Sequence, residues 1–318
     1  MSLQRFVLRR VLSIVPILFG VSVITFALVH LTPGDPVAQM VAMNPDVTAA
    51  EEQRLRSYYG LDGPLWEQYL TWMSNVLSGD FGQVVSSNRE VSEVVLTRLP
   101  ETIALGLFGW VFALLIAIPT GIYAAVNKDK LGDDVSRFIA LSGISIPNFW
   151  LGLMLILIFA LTLGLWPVLA PREPLYHPRM LWYLILPGLT IGTGAAAILM
   201  RIMRSTMAEE MNKEYVMAAR AKGLPERTVI LKHVLRNSLI SVATVAAFLT
   251  AGIVSGSVVV EVVFNWPGLG AELISAIHGR EINLIMAITL FVGVAIVLAN
   301  LLADIAYALL DPRIRDEY

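Results

Sequence analysis

The stretch Glu214-Tyr-Val-Met-Ala-Ala-Arg-Ala-Lys-Gly223-Leu-Pro225 decides how this chain is read. Glu214 to Lys222 are good helix formers apart from Tyr215 and Val216, and Gly223 suits the left-handed position just past a helix end. Pro225 stops that helix and suits the first turn of a following one. The sequence therefore predicts a short charged helix, a tight corner and a second helix. On either side lie segments too apolar for anything but a lipid bilayer. Ala218, Ala219, Ala221 and Gly223 carry little bulk, so another backbone can approach closely, and a membrane protein with such a surface element is expected to be moved through it. Composition alone leaves a second reading open, a basic amphipathic helix lying on anionic lipid.

The rest of the composition agrees with a polytopic membrane protein. Hydrophobic residues make up 56% of the chain and charged ones only 15%, against about 25% in globular proteins. The net charge of −2 says little, because position along the chain matters more than the total. With no cysteine, disulfides and thiolate metal sites are excluded. Six long windows nearly free of charge are expected to span: Val11–Leu31, Thr102–Val126, Phe138–Trp166, Leu181–Met203, Leu239–Val260 and Leu284–Leu310. The first follows Arg5, Arg9 and Arg10 like a secretory signal, but its apolar run is too long and no clear cleavage site follows, so it reads as a retained helix.

Lys and Arg are retained on the cytoplasmic side during insertion. With both termini inside, 16 of them fall on that face and seven opposite, four of the seven in one long loop whose charges count for little. The chain then divides into residues 1–101, a first span plus a long external loop; 102–310, a five-helix core with a cytoplasmic loop over 204–238; and a tail, 311–318. The external loop carries turn punctuation at Pro33-Gly34-Asp35-Pro36, Gly60-Leu-Asp-Gly-Pro64 and Gly79-Asp80-Phe81-Gly82, around a helical piece, Leu65–Leu77. Trp66, Tyr69 and Trp72 share one face of that piece, either as an aromatic belt on the headgroups or as a docking face for an external partner.

Several single features have two readings each. Asp304, four residues after Asn300 in the last span, is a structural hydrogen-bonding group near the cytoplasmic interface or a proton relay. Pro267-Gly268 has the chemistry of a type II turn in an external hairpin, and Glu261 just before it is an interfacial carboxylate in water or an electrostatic gate. Small and hydroxylated residues of the fourth and fifth spans, among them Gly192, Thr193, Gly194, Thr244, Thr250, Gly252, Ser255 and Ser257, permit close helix approach or line a polar path, for which Thr193, Thr244, Thr250, Ser255 and Ser257 are the candidates. Gly143-Ile-Ser145 superficially matches an intramembrane serine protease. That reading is excluded because His30, His177, His233 and His278 all fall at span ends or in loops. A passive channel would share the small-residue helices but leaves the 214–223 element unexplained.

The 214–223 element resembles the cytoplasmic loop of permease subunits in ATP-binding-cassette importers, Glu-Ala-Ala followed three residues later by Gly, with Met217-Ala218-Ala219 and Gly223 in that register. Met217 replaces the acidic residue, and His233-Val-Leu235-Arg236 replaces Ile-x-Leu-Pro, departures associated with the peptide-importing branch. Arg9-Arg10 through Pro16, Gly20-Val-Ser22, Phe26 and Leu31-Thr-Pro33-Gly-Asp-Pro36 resemble the first helix of the B-type permease of dipeptide, oligopeptide, glutathione and nickel importers. Tyr59-Gly-Leu-Asp62, Gln68-Tyr69, Trp72 and Gly79-Asp80-Phe-Gly82 resemble its external loop, with Val84 where a serine is usual. Ser145-Ile-Pro147-Asn-Phe-Trp150-Leu-Gly152, Val258-Val-Val-Glu261, Trp266-Pro-Gly-Leu-Gly270 and Asn300 through Asp304 to Leu310-Asp-Pro-Arg313 extend the likeness over nearly the whole chain.

The resemblance implies an all-α integral membrane protein with the type I importer permease fold, in a bacterial or archaeal cytoplasmic membrane. It implies a homologous C-type permease, two ATP-binding subunits, an external substrate-binding (lipo)protein and membrane lipid as partners, and no nucleic acid. ATP and Mg would be held by the ATPases, since no Gly-x-x-x-x-Gly-Lys-[Ser/Thr] loop occurs here. Glu214, Ala218, Ala219, Lys222 and Gly223 would couple to an ATPase groove, Lys222 by pairing with an acidic group. No catalytic residue is expected in this chain.

Overall fold

The computed structural model describes residues 3–31, 48, 53, 63–170 and 173–310. Among them every named element is a helix, and the chain forms two compact units. Pro33–Pro36 and Tyr59–Asp62 lie outside the described residues, as does the tail after Leu310.

The larger unit takes in Glu101–Pro267. At its centre is the Ile185–Glu210 helix, continuous with Pro178–Tyr183 but for Leu184 and by far the most buried of the apolar helices. Its sequence explains its position: Gly188, Gly192 and Ala195 to Ala197 keep one side thin, while Leu199, Met200, Met203 and Met207 fill the space towards its end. The thin side meets the Val91–Val126 helix, where a Cβ on Gly192 would stand 2.4 Å from the carbonyl oxygen of Gly109 and one on Gly121 would meet Met203 at 2.7 Å. Backbones this close need glycine, the device that lets helices associate where no hydrophobic driving force exists. Gly194 and Gly252 face open space instead, so only part of the expected small-residue stripe is contact.

The third expected span, Phe138–Trp166, is not one straight helix. Leu131–Ser145 and Asn148–Thr162 meet at 105°, so among the described residues five helices are long and apolar enough to cross a membrane, or six if the bent pair counts as one. Pro147 causes the break: it forces the residue before it out of the helical region, and Ile146 accordingly sits at φ −80°, ψ 122°. The second arm widens into a π-helix over Ile156–Thr162 before Gly164, at φ +63°, ends it.

The smaller unit joins Arg9–Pro100 with Gly268–Val297. Here the helix expected over Leu65–Leu77 is present as Leu65–Ser78, closed by Gly79 at φ +87°, with Gly79 N–H donating to Val76 and Asp80 N–H to Asn75. Asp80 Oδ1 then accepts the Gly82 amide at 2.8 Å, the local turn its sequence anticipates. Val91, Val95, Leu269, Leu284 and Ile288 form the core of this unit, and the Glu281 carboxylate accepts the amides of Val85 and Ser86 at 2.7 and 2.8 Å. The turn at 265–268 differs from expectation. Gly268 has φ −92° and caps the Leu269–Gly279 helix, while the left-handed residue is Asn265 at φ +50°, so no type II turn forms on Pro267-Gly268.

Replacing Gly192 by valine is expected to cost at least the roughly 1–3 kcal/mol of an overpacked core, because the obstruction is backbone and cannot rotate away. The yield of monodisperse protein and its thermal midpoint should fall for Gly192→Val and stay unchanged for Gly194→Ala.

Candidate functional site

The corner that the sequence singles out folds as a helix over Glu214–Ala221, capped at Lys222 and turned by Gly223 at φ +76°. Nothing lies within 4 Å of where a Gly223 Cβ would be, so glycine is needed there for its backbone conformation and not for space. Pro225 stands one place before the next helix, its carbonyl accepting from Thr228 and Val229. Glu226–Thr228 then passes through a π-helix, Val229–Val234, into the Leu235–Val263 helix.

The two faces of the short helix differ sharply. Val216 and Ala219 point inward and pack in one cluster with Met207, Val229 and Val234, all nearly or fully buried. Glu214, Met217, Ala218, Lys222 and Gly223 are exposed. Of the five expected coupling residues, four thus share the outer surface, and Ala219 seats the helix on its own unit.

Polar contacts fix both ends. Glu210, the last residue of the long central helix, accepts from Lys213 and from the Tyr215 hydroxyl, and that hydroxyl also accepts from Asn237 Nδ2 at 2.9 Å. One phenol therefore links the helix that enters the corner to the helix that leaves it. The Glu210 carboxylate holds the Lys213 ammonium above the usual lysine range, and burial together with that carboxylate pushes the Tyr215 hydroxyl up. Across the corner Arg220 makes a two-pronged bond to Glu226, 2.7 and 3.1 Å, with its guanidinium held further above its usual range by that carboxylate. Exposed pairs of this kind contribute below about 1 kcal/mol each; their effect is to fix geometry.

The hydroxyls proposed for a polar path are spread along two helices. Thr193, Thr244 and Thr250 are half-buried, and each donates to the carbonyl four residues earlier, at 2.6, 3.0 and 3.2 Å, leaving only acceptor capacity for a solute. Ser257 is buried, and the side chain of Ser255 lies outside the described ones. In the aromatic helix, Tyr69 and Trp72 turn onto the first helix: Phe26 lies 5.5 and 5.8 Å from their ring centres, and the Ser22 and Tyr69 hydroxyls are 2.8 Å apart. Trp66 remains exposed on the rim of an apolar groove of about 400 Å³ that Phe19, Val23 and Leu65 also line.

Two carboxylates were not readable from the sequence. Glu261, for which a water-exposed position is the plainer expectation, is instead fully buried and accepts from the Thr102 hydroxyl at 2.9 Å, beside a Trp266 that is itself fully buried and bonded to the Glu101 carbonyl. Asp133, unremarked in the sequence, is fully buried against Arg204. Asp304 is half-buried and Asn300 exposed. Among the described residues no group of three or more His, Cys, Asp or Glu side chains could hold a metal ion.

The helices long and apolar enough to span, together with an exposed corner pinned at both ends, set the frame, and the comparisons with known proteins give the family. The chain belongs to the binding-protein-dependent transport system inner membrane components: that family matches residues 117–316, and its N-terminal part matches residues 3–106. It is 38% identical over 314 residues to the oligopeptide transport system permease protein AppB of Bacillus subtilis, covering 97% of this chain and 98% of that one. It is also 38% identical over 310 residues to the glutathione transport system permease protein GsiC of Escherichia coli, covering 98% of each. Among solved structures, an inward-facing MetNI methionine ABC transporter chain matches 69% of this chain and 96% of its own length with a TM-score of 0.53 at 18% identity, a likeness of fold alone. The chain is thus a multi-pass inner-membrane permease component of an ABC transport system, a non-catalytic member of a machine that generally includes ATPases and a binding protein.

Gly223→Val is expected to strain the corner by roughly 1–2 kcal/mol, the cost of a left-handed residue with a Cβ, whereas Gly223→Asn should be tolerated. In a reconstituted complex, uptake should drop for the valine variant and persist for asparagine, with equal amounts of assembled complex.

Proposed function

We propose that this chain forms half of the translocation pathway of an ATP-driven importer of di- or oligopeptides, and that the Glu214–Gly223 corner receives the motion of a separate ATPase. The observation that carries this reading is the two-faced helix: Val216 and Ala219 lock it to its own unit while Glu214, Ala218, Lys222 and Gly223 offer a low, small-residue outer surface. A helix lying on lipid would present a continuous apolar face outward; here the exposed face mixes Met217 with Glu214, Arg220 and Lys222, and Val216 and Ala219 are already covered.

The fuller assembly consists of this B-type subunit, a homologous C-type permease, two ATP-binding subunits that hold ATP and Mg, and an external binding (lipo)protein. Both termini are cytoplasmic and the bent pair Leu131–Ser145 and Asn148–Thr162 serves as the third of six spans. In this arrangement residues 1–101 are the first span and outer loop, 102–310 the five-span core with its 204–238 loop, and 311–318 the inner tail. Thr193, Thr244, Thr250, Ser255 and Ser257 supply acceptors along the path, and Trp66, with Tyr69 and Trp72 behind it, faces the external protein. A peptide is the favoured cargo because AppB, a relative over almost its full length, is an oligopeptide permease; glutathione is the second reading, favoured by equal identity to GsiC. Nickel or an oligosaccharide is the remaining alternative cargo for the same architecture.

The chain has no native cysteine, so single cysteines report cleanly. Cysteines at Glu214, Ala218 and Lys222 are expected to crosslink to an ATPase subunit in the assembled complex, and a cysteine at buried Ala219 is not. Absence of any ATPase adduct from the three exposed positions would contradict the coupling assignment.

A further inference from the structure

We infer that the buried ion pair of Asp133 and Arg204 is a positioning element that carries movement of the Glu214–Ala221 corner into the bent helix pair, a role that rests on the coupling assignment above. Arg204 sits on the Ile185–Glu210 helix, six residues before the Glu210 that anchors the corner. Its Nε donates to Asp133 Oδ1 and its Nη2 to Asp133 Oδ2, each at 2.5 Å. A two-pronged guanidinium bond fixes orientation as well as distance. Asp133 lies in the first turn of Leu131–Ser145 and is fully buried, while the Arg204 side chain is 18% exposed. The same carboxylate accepts the amide of Asp129 at 3.1 Å, and Asp129, at φ +62°, closes the turn that leads in from the Val91–Val126 helix. Two helices and the turn that follows a third therefore meet on one carboxylate, and one of those helices, Leu131–Ser145, leads directly to the 105° bend at Pro147.

Stability alone does not account for such a pair, because taking both charges out of water offsets much of their attraction and apolar residues of similar volume serve as well. Stiffness does. Apolar side chains in the core of the same unit, such as Ala140, Ala197 and Met200, can slide past one another, whereas a planar fork on a carboxylate resists both sliding and rotation. The neighbouring Asp134 and Arg137 pair only loosely and in solvent, at 3.6 Å, so Leu131–Ser145 has no comparable second tie through them.

The test uses the assembled complex with its ATPases and binding protein in vesicles, and reads solute imported per ATP hydrolysed. Asp133→Asn keeps the shape and one acceptor oxygen; its stimulated ATP hydrolysis should stay within about twofold while solute imported per ATP falls at least about fivefold, the lower end of typical coupling between sites. Asp133→Leu/Arg204→Met removes both charges without stranding either, and should assemble and show the same loss. A wild-type ratio in either assembled variant would overturn the inference, as would failure of both to assemble, since the pair would then be an element of folding. Crosslinking of Ala218→Cys to the ATPase in the same complexes separates the two levels. An adduct with an unchanged ratio removes this role only, and no adduct in the otherwise unaltered complex removes the coupling assignment.

Discussion

Lipid offers no hydrogen-bond partner to a peptide group, so backbone may depart from helix only where protein, water or a side chain supplies one. The departures in this chain obey that constraint. The break at Ile146 and Pro147 costs few bonds, because proline has no amide to leave unmet and the Pro147 carbonyl is taken by Leu151. A second departure, Gly223-Leu-Pro225, falls in an exposed segment where unpaired groups can reach water. Between such points the helices are stiff rods, held close at Gly192 by the Gly109 backbone and at Gly109 and Gly121 by the side chains of Ile191 and Met203. Rods packed so closely move as bodies or not at all.

The corner is held as firmly as the rods it joins. A short helix on a loose loop would swing without moving anything else. Here Tyr215 is bonded both to Glu210, where the central helix ends, and to Asn237, on the helix that leaves, and Arg220 spans the turn to Glu226. Val216 and Ala219 fill the space beneath. None of these contacts is strong alone, yet each removes a different freedom, so the short helix is tied to both long helices. Membership in the binding-protein-dependent transport inner membrane components means that this chain works within a machine of several proteins.

Much of this was legible in the sequence because the signals are local. Glycine just past a helix, Asp80 two residues before the amide it accepts, and a proline after a glycine all act within a few positions, and the helices at Leu65–Ser78 and Glu214–Ala221 follow. What escaped has distant partners. Asp133 reads as an ordinary acidic residue in the first turn of a polar helix until Arg204, 71 positions on, arrives beside it, and Glu261 meets Thr102 across 159 positions. Hydropathy counts length and not direction, so the 105° bend inside an apolar window was invisible although its proline was in plain view. Likewise Gly192 and Gly194 look alike in sequence, and only the rotation of the helix decides that one touches Gly109.

The claim that most needs testing is that the corner and the helix leaving it behave as one body. Spin labels at Met217 and Val259, both exposed and on the short helix and the far part of Leu235–Val263, report this directly. In the assembled complex the distance between them should be the same, with an equally narrow distribution, in the nucleotide-free and ATP-trapped states. A shift of several ångströms, or a distribution that broadens in one state, would show the corner hinging freely and would contradict the account.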